Sequence, residues 1–222
     1  MNQRDNHDDD AVLTEMGSAA GRALGQRSRA AEDAGDLSLA LDLNQQAIEA
    51  FLSDGDAPGL LVAFRSQGFL LLKRGETAAG LLQVGRALGL ALQMEPMYAM
   101  ATLDQVVGIG SYLAREHPDH LLTLTATLHS TLDHLREGRG AFPTELVGPV
   151  ELTRTLANIY GARGLLSMHL AGSEPLTEEE VAQLAADAMN QAWAVDALSR
   201  QRWGIVPWLK AWMVTQGLPV DE

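Results

Sequence analysis

Four of the six histidines lie in one segment of the sequence, at His117, His120, His129 and His134. Imidazole nitrogens bind a transition metal when several of them converge on one ion. In a helix, His120 and His129 would be about 13 Å apart along the axis, which is too far for a shared ion. His129 and His134, five positions apart, do not share a helix face. We interpret these histidines as exposed residues and expect neither a metal site nor a cofactor.

Other catalytic signatures are also missing from the sequence. It has no Gly-x-Ser-x-Gly elbow, no phosphate-binding loop and no glycine-rich dinucleotide motif after a strand. The absence of cysteine excludes thiolate nucleophiles, thiolate metal sites and disulfides. One enzymatic alternative remains, a composite site built from Asp104, Arg115, Glu116 and His117. The sequence favours a protein that is not an enzyme.

Composition and charge restrict the class of partner. The 222 residues carry a net charge of −13, which argues against binding to nucleic acid or to an anionic membrane. The most apolar stretch, 81–94, is too short to span a bilayer, which needs about 20 residues. No basic and apolar leader precedes the acidic start, so a cytoplasmic location is expected. Arginine outnumbers lysine, which is present only as Lys73 and Lys210, and this bias suits a GC-rich bacterial genome.

Nearly the whole chain has the pattern of helices, because Ala, Leu, Gln, Glu and Met dominate and strand-like alternation is missing. Gly35-Asp36, Gly55-Asp56 and Gly75-Glu76 each combine a helix-ending glycine with an acid that favours the next helix start. Thr177 and Glu180 form a capping box. The sequence predicts helices over 11–34, 37–53, 58–74, 77–94, 97–115, 119–136, 149–171, 177–200 and 207–216.

The predicted domain organisation has four parts. Residues 1–10 form a disordered acidic tail, and 11–137 form the N-terminal helical hairpins. Residues 138–148, the longest stretch without a helical pattern, form a hinge or loop. Residues 149–222 form a C-terminal hairpin and a capping helix.

One spacing of small residues occurs twice. Gly35-Asp36 is followed by Ala40 and Ala47, and Gly75-Glu76 is followed by Gly80 and Ala87 at the same offsets, 40 positions later. Small residues seven positions apart let the first helix of a hairpin pack closely against the second. This internal similarity indicates a stack of helical hairpins.

The pattern resembles the tetratricopeptide repeat (TPR), a helix–turn–helix unit of 34 residues. In 61–94, Phe64, Gly68, Gly75, Gly80 and Ala87 occupy that family's aromatic, small, turn and alanine positions, and Pro96 follows the unit. In 21–54 the corresponding residues are Leu24, Ser28, Gly35, Ala40 and Ala47. The resemblance implies an all-α fold of stacked antiparallel hairpins, a TPR-like α–α superhelix, ending in a capping helix.

In this family, the first helices of the repeats line a concave face that binds peptides. By that resemblance, the partner-binding residues would be Arg22, Arg29, Val62, Arg65, Phe69 and Lys73. Cations around an apolar surface favour an acidic peptide or a carboxylate end. The alternative is that these are ordinary exposed cations on an acidic protein.

The four tryptophans all lie near the end of the sequence, at Trp193, Trp203, Trp208 and Trp212. Trp208 and Trp212 fall on one face of the last predicted helix together with Leu209 and Met213. They form either a cap over the last hairpin or an interface with a partner, since tryptophan is enriched at binding hot spots.

These observations favour a scaffold function, in which a non-catalytic adaptor holds a protein or peptide on its concave surface. The alternative is a regulatory or sensor module that binds a small molecule or signalling peptide in a helical cavity and moves at the 138–148 hinge. A homodimer is a further form of partner that the sequence leaves open.

Overall fold

The computed structural model describes residues 18–140 and 142–220, and the predicted acidic tail lies outside these residues. Within these ranges the chain forms helices and no strand, which confirms the all-α prediction. Two short 3-10 turns, Pro118–His120 and Thr144–Leu146, precede α6 and α7. The helices are α1 (Ala19–Asp33), α2 (Leu37–Asp54), α3 (Ala57–Lys73), α4 (Thr77–Ala91), α5 (Pro96–Glu116), α6 (Leu121–Arg139), α7 (Val147–Leu170), α8 (Glu178–Leu198) and α9 (Ile205–Thr215).

The chain divides between Met94 and Glu95 into two compact units, here called unit 1 and unit 2. Unit 1 contains α1 to α4, and unit 2 contains α5 to α9. The segment 138–148, predicted as a hinge between two halves, lies inside unit 2. It joins α6 to α7, and these two helices pack against each other.

Unit 1 is a series of helices in which each packs against the next, and α1 also contacts α3. Gly35, Gly55 and Gly75 have positive φ angles at the helix ends, where a side chain would be strained. Asp36 and Asp56 accept hydrogen bonds from the backbone N–H groups of Leu39 and Gly59 and so cap α2 and α3. These turns agree with the sequence prediction because their signals are local.

The small residues of the repeated spacing bring α3 and α4 close together. A Cβ atom added to Gly80 would lie 2.9 Å from the carbonyl oxygen of Gly68. Any side chain at position 80 would therefore push the two backbones apart. This contact confirms the predicted close packing within the second hairpin.

Unit 2 is arranged around α7, whose buried residues are distributed along its whole length. It packs against α5, α6 and α8, and α9 packs against α8. The sequence predicts a hairpin of α5 with α6, but α5 packs more extensively against α7 than against α6. The reason is that α7 is apolar on several faces, so it needs more than one neighbour to cover it.

Two acidic residues fix the chain around the start of α9. The buried carboxylate of Asp196, on α8, accepts hydrogen bonds from the N–H groups of Ile205 (2.8 Å) and Val206 (2.9 Å). Asp104, on α5, pairs with Arg202 and accepts a 2.6 Å hydrogen bond from the indole nitrogen of Trp203. These contacts hold the end of the loop between α8 and α9, together with the first turn of α9.

The capping box at the start of α8 is confirmed. The Thr177 hydroxyl accepts a hydrogen bond from the Glu180 N–H, and the Glu180 carboxylate accepts one from the Thr177 N–H. The Thr177 N–H, and to a smaller extent the Thr177 hydroxyl at 2.9 Å, donate to the Glu180 carboxylate and lower its pKa. None of the helices in the described ranges combines the length and apolar character required to cross a lipid bilayer.

Candidate functional site

A groove of about 130 Å³ runs between α1 and α3 in unit 1, and we call it the α1–α3 groove. The buried face of α2 forms its floor, and α1 and α3 form its two walls. Residues from all three helices line it: Gly21, Arg22, Gly25, Gln26, Ser28, Arg29 and Glu32 from α1, Asn44, Ala47 and Phe51 from α2, and Gly59, Val62, Ala63, Ser66 and Leu70 from α3.

The groove contains two buried polar groups that already have partners, Ser28 on the α1 wall and Asn44 on the floor. The Ser28 hydroxyl donates to the carbonyl of Ala40 at 2.7 Å, and the Asn44 amide donates to the carbonyl of Ala63 at 2.9 Å. Both side chains are buried and link neighbouring helices. The floor therefore offers mainly an apolar surface to a ligand.

Phe51 fixes one end of the groove. Its ring lies between Gly21 of α1 and Gly59 of α3, and a Cβ atom added to either glycine would come within 2.4 Å of the ring. The missing side chains let the ring fill the space between the two walls. Gly25, one turn further along α1, has no atom of another residue near its Cβ position, so the groove is open there.

Three of the six predicted partner-binding residues line the groove. Arg22 and Arg29 lie on the α1 wall, and Val62 lies on the α3 wall. These residues are half-buried. Two cations on one wall and an aliphatic side chain on the other suit a ligand that combines acidic and apolar groups.

The other three predicted residues, Arg65, Phe69 and Lys73, are on α3 but do not line the groove. The Lys73 ammonium lies 2.6 Å from a carboxylate oxygen of Glu32 and 4.7 Å from the centre of the Phe69 ring. Lys73 is therefore engaged with Glu32, which lines the groove at the end of α1. Sequence reasoning missed Glu32 and Phe51, because their position depends on contacts between helices.

A second polar arrangement lies in unit 2, where Arg163 of α7 is only 5% exposed. Its guanidinium carbon lies 4.4 Å from the ring centre of Trp208 and 4.6 Å from that of Trp212. Its Nη2 atom donates to the carbonyl of Ala114 at 3.0 Å. Burial lowers the pKa of Arg163 to about 10, so the group is still charged at neutral pH. A desolvated cation–π contact contributes about 2 kcal/mol, which helps to offset the burial of this charge.

Trp208 and Trp212, predicted as a cap or an interface, thus lie half-buried against Arg163 within unit 2. Tyr160 is buried beside them, with its ring edge-on to Trp208 and against Gly110 of α5. Burial raises the pKa of Tyr160. One feature of the sequence could have indicated this cluster: Arg163 is the only Arg, Lys, Asp or Glu between Arg154 and Glu174.

A cavity of about 300 Å³ lies next to this cluster, and we call it the α7–α9 cavity. Its lining exposes polar as well as apolar surface, and among the described residues Ser167 and Gln216 contribute polar side chains. The remaining lining residues are Ala114, Pro118, Leu170, Ala171 and Trp212.

The residues of the composite enzymatic alternative do not meet at one point. Asp104 contacts Arg202 and Trp203, whereas Arg115 pairs with its neighbour Glu116 at 2.6 Å. Twelve residues of α5 separate Asp104 from Glu116, about 18 Å along the helix axis. Within 18–140 and 142–220, no group of three or more metal-ligating side chains is placed to hold an ion.

No protein-family model matches this sequence, and the searches of curated proteins and of solved structures found no similar protein.

Proposed function

We propose that unit 1 is a non-catalytic peptide-binding module of an adaptor protein, and that the α1–α3 groove holds the peptide. The observation that carries the proposal is that Arg22, Arg29 and Val62 lie on the walls of a groove with an apolar floor. The resemblance to the TPR supports it, because peptides bind that family on the surface formed by the first helices, which here are α1 and α3.

The groove also indicates the chemistry of the peptide. An apolar side chain would cover the floor formed by Ala47 and Phe51, and acidic groups beside it would pair with Arg22 and Arg29. Glu32, which is paired with Lys73, places a negative charge at the end of α1. We therefore expect the peptide to run with its acidic groups near Arg22 and Arg29 and away from Glu32.

The proposal is tested by selecting binders from a displayed library of random peptides and measuring the affinity of synthetic hits by fluorescence anisotropy. Gly25→Leu places a side chain in the open part of the groove and is expected to weaken binding by about tenfold or more, equivalent to about 1.4 kcal/mol. Arg29→Glu is expected to weaken binding of the acidic hits to a similar extent, because it reverses the charge on the α1 wall.

Gly108→Leu is the matched control, because Gly108 also lies inside a helix and has open space at its Cβ position but is in unit 2. This variant should bind the peptides as the wild type does. Hits that bind Gly25→Leu as tightly as the wild type would refute the groove assignment, and so would a selection without enrichment.

A second candidate function is a regulatory module that binds a small molecule. The observation that favours it is the α7–α9 cavity beside the buried charge of Arg163. This function requires a ligand in unit 2 and leaves the groove of unit 1 unchanged.

A further inference from the structure

The charge of Arg163 has no counter-ion among the described residues of unit 2. Among the described residues, no carboxylate forms an ion pair with it, and its Nε and Nη1 atoms have no hydrogen-bond partner. The hydroxyl of the neighbouring Tyr160 is also buried without a partner. Arginine is rarely buried this completely unless an anion is paired with it. The site therefore has two unpartnered donors that could bind an anion.

The α7–α9 cavity adjoins this unpaired charge. Trp212 both lines the cavity and contacts the guanidinium, and Ala114 both lines the cavity and accepts the hydrogen bond from Nη2. Ser167, another lining residue, is one helical turn after Arg163 and so lies on the same side of α7. Arg163 itself does not line the cavity, but it contacts two residues that do, so an anionic group beside Ala114 and Trp212 would lie close to its guanidinium.

The composition of the cavity lining distinguishes between kinds of anion. Among the described residues no arginine or lysine lines the cavity, and Arg163 is the cation that contacts its lining residues Ala114 and Trp212. One guanidinium matches the single charge and planar shape of a carboxylate, whereas phosphate groups are usually bound by several cations or by a helix N-terminus. Leu170, Pro118 and the Trp212 ring would cover an apolar body attached to the carboxylate.

We propose that unit 2 binds a small organic carboxylate in the α7–α9 cavity, with the carboxylate paired to Arg163 and the apolar body against Trp212. The cavity volume of about 300 Å³ is at the small end of the range for ligand pockets. This proposal rests on the second candidate function and gives that function its ligand class.

The test is a titration of the full-length protein with benzoate and hexanoate, with benzamide and hexanamide as neutral counterparts and inorganic phosphate as a second anion. Tryptophan fluorescence reports binding, because all four tryptophans are in unit 2. Saturable binding of a carboxylate is expected, with the matching amide and phosphate at least tenfold weaker. Arg163→Met keeps an unbranched apolar side chain on α7 and should weaken carboxylate binding at least tenfold.

Two further variants keep the test decisive if Arg163→Met does not fold. Ser167→Leu fills the cavity, leaves Arg163 in place and should also abolish binding. Arg154→Met removes an exposed arginine of the same helix, which is paired with Glu151, and should bind as the wild type does. If the amides or phosphate bind as tightly and Ser167→Leu abolishes this binding, the cavity is a small-molecule site but the carboxylate proposal is wrong. If no probe binds, the carboxylate proposal is overturned, and only a wider screen could then sustain the second candidate function.

Discussion

Gly21→Ala is expected to lower the free energy of unfolding of unit 1 by about 1–3 kcal/mol, whereas Gly25→Ala, one turn later, is expected to raise it by up to about 1 kcal/mol. Both glycines lie inside α1, and alanine is the better helix former at each position. The two substitutions differ only in what the added methyl group meets. At position 25 it meets nothing, and at position 21 it would lie 2.3 Å from the Phe51 ring.

The Phe51 ring cannot easily move away from a methyl group at position 21. Gly59 of α3 lies on another side of the ring, and a Cβ atom there would be 2.4 Å away from it. Displacing the ring or the α1 backbone therefore disturbs the separation of the two groove walls. The cost of this overpacking should exceed the gain in helix propensity.

Urea unfolding followed by far-ultraviolet circular dichroism measures both effects, since it reports the loss of the helices of unit 1. Tryptophan fluorescence is not suitable, because all four tryptophans are in unit 2. Combining Gly21→Ala with Phe51→Ala serves as the control, since without the ring the Gly21→Ala substitution should cease to destabilise. Equal effects of Gly21→Ala and Gly25→Ala would contradict the position of Phe51 between the walls.

Asp196→Ala is expected to destabilise unit 2 by about 2–4 kcal/mol and to release α9 from α8. The carboxylate accepts hydrogen bonds from the backbone N–H groups of Ile205 and Val206, both of which are buried. Alanine would leave both donors without a partner, and each such group costs about 1–3 kcal/mol. Ile205 and Val206 are only 2% and 6% exposed, so little solvent can compensate these groups while α9 stays in place.

Tryptophan fluorescence measures this effect directly, because Trp208 and Trp212 would lose their contact with Arg163 when α9 is released. Asp187→Ala is the matched control, since Asp187 is an exposed acid on the same helix whose partner, Gln183, is one turn away. It should change stability by no more than about 0.5 kcal/mol. An Asp196→Ala protein with the wild-type urea midpoint would show that other contacts hold α9.

The two binding proposals depend on different residues and can be tested separately. The groove of unit 1 needs the open space at Gly25 and the charges of Arg22 and Arg29, whereas the cavity of unit 2 needs Arg163. Gly25→Leu should therefore leave carboxylate binding unchanged, and Arg163→Met should leave peptide binding unchanged. Either module can be refuted without the other.

The helices and most of the turns could be predicted from the sequence, because the signals for them are local. The glycine and acid pairs at 35–36 and 55–56 and the capping box at Thr177 act within one or two turns of the chain. The small residues at Gly68 and Gly80 likewise predicted close packing within one hairpin. The spacing of residues along a helix defines its faces but not which other helix each face will meet.

Which of the candidate residues lie together depends on the tertiary structure. It paired Lys73 with Glu32, 41 positions away, and it placed Arg22 and Arg29 along the groove. It also placed Arg163 against two tryptophans of α9 and the backbone of α5. These contacts join distant parts of the chain, and they follow from how several apolar faces are buried at once rather than from any single segment.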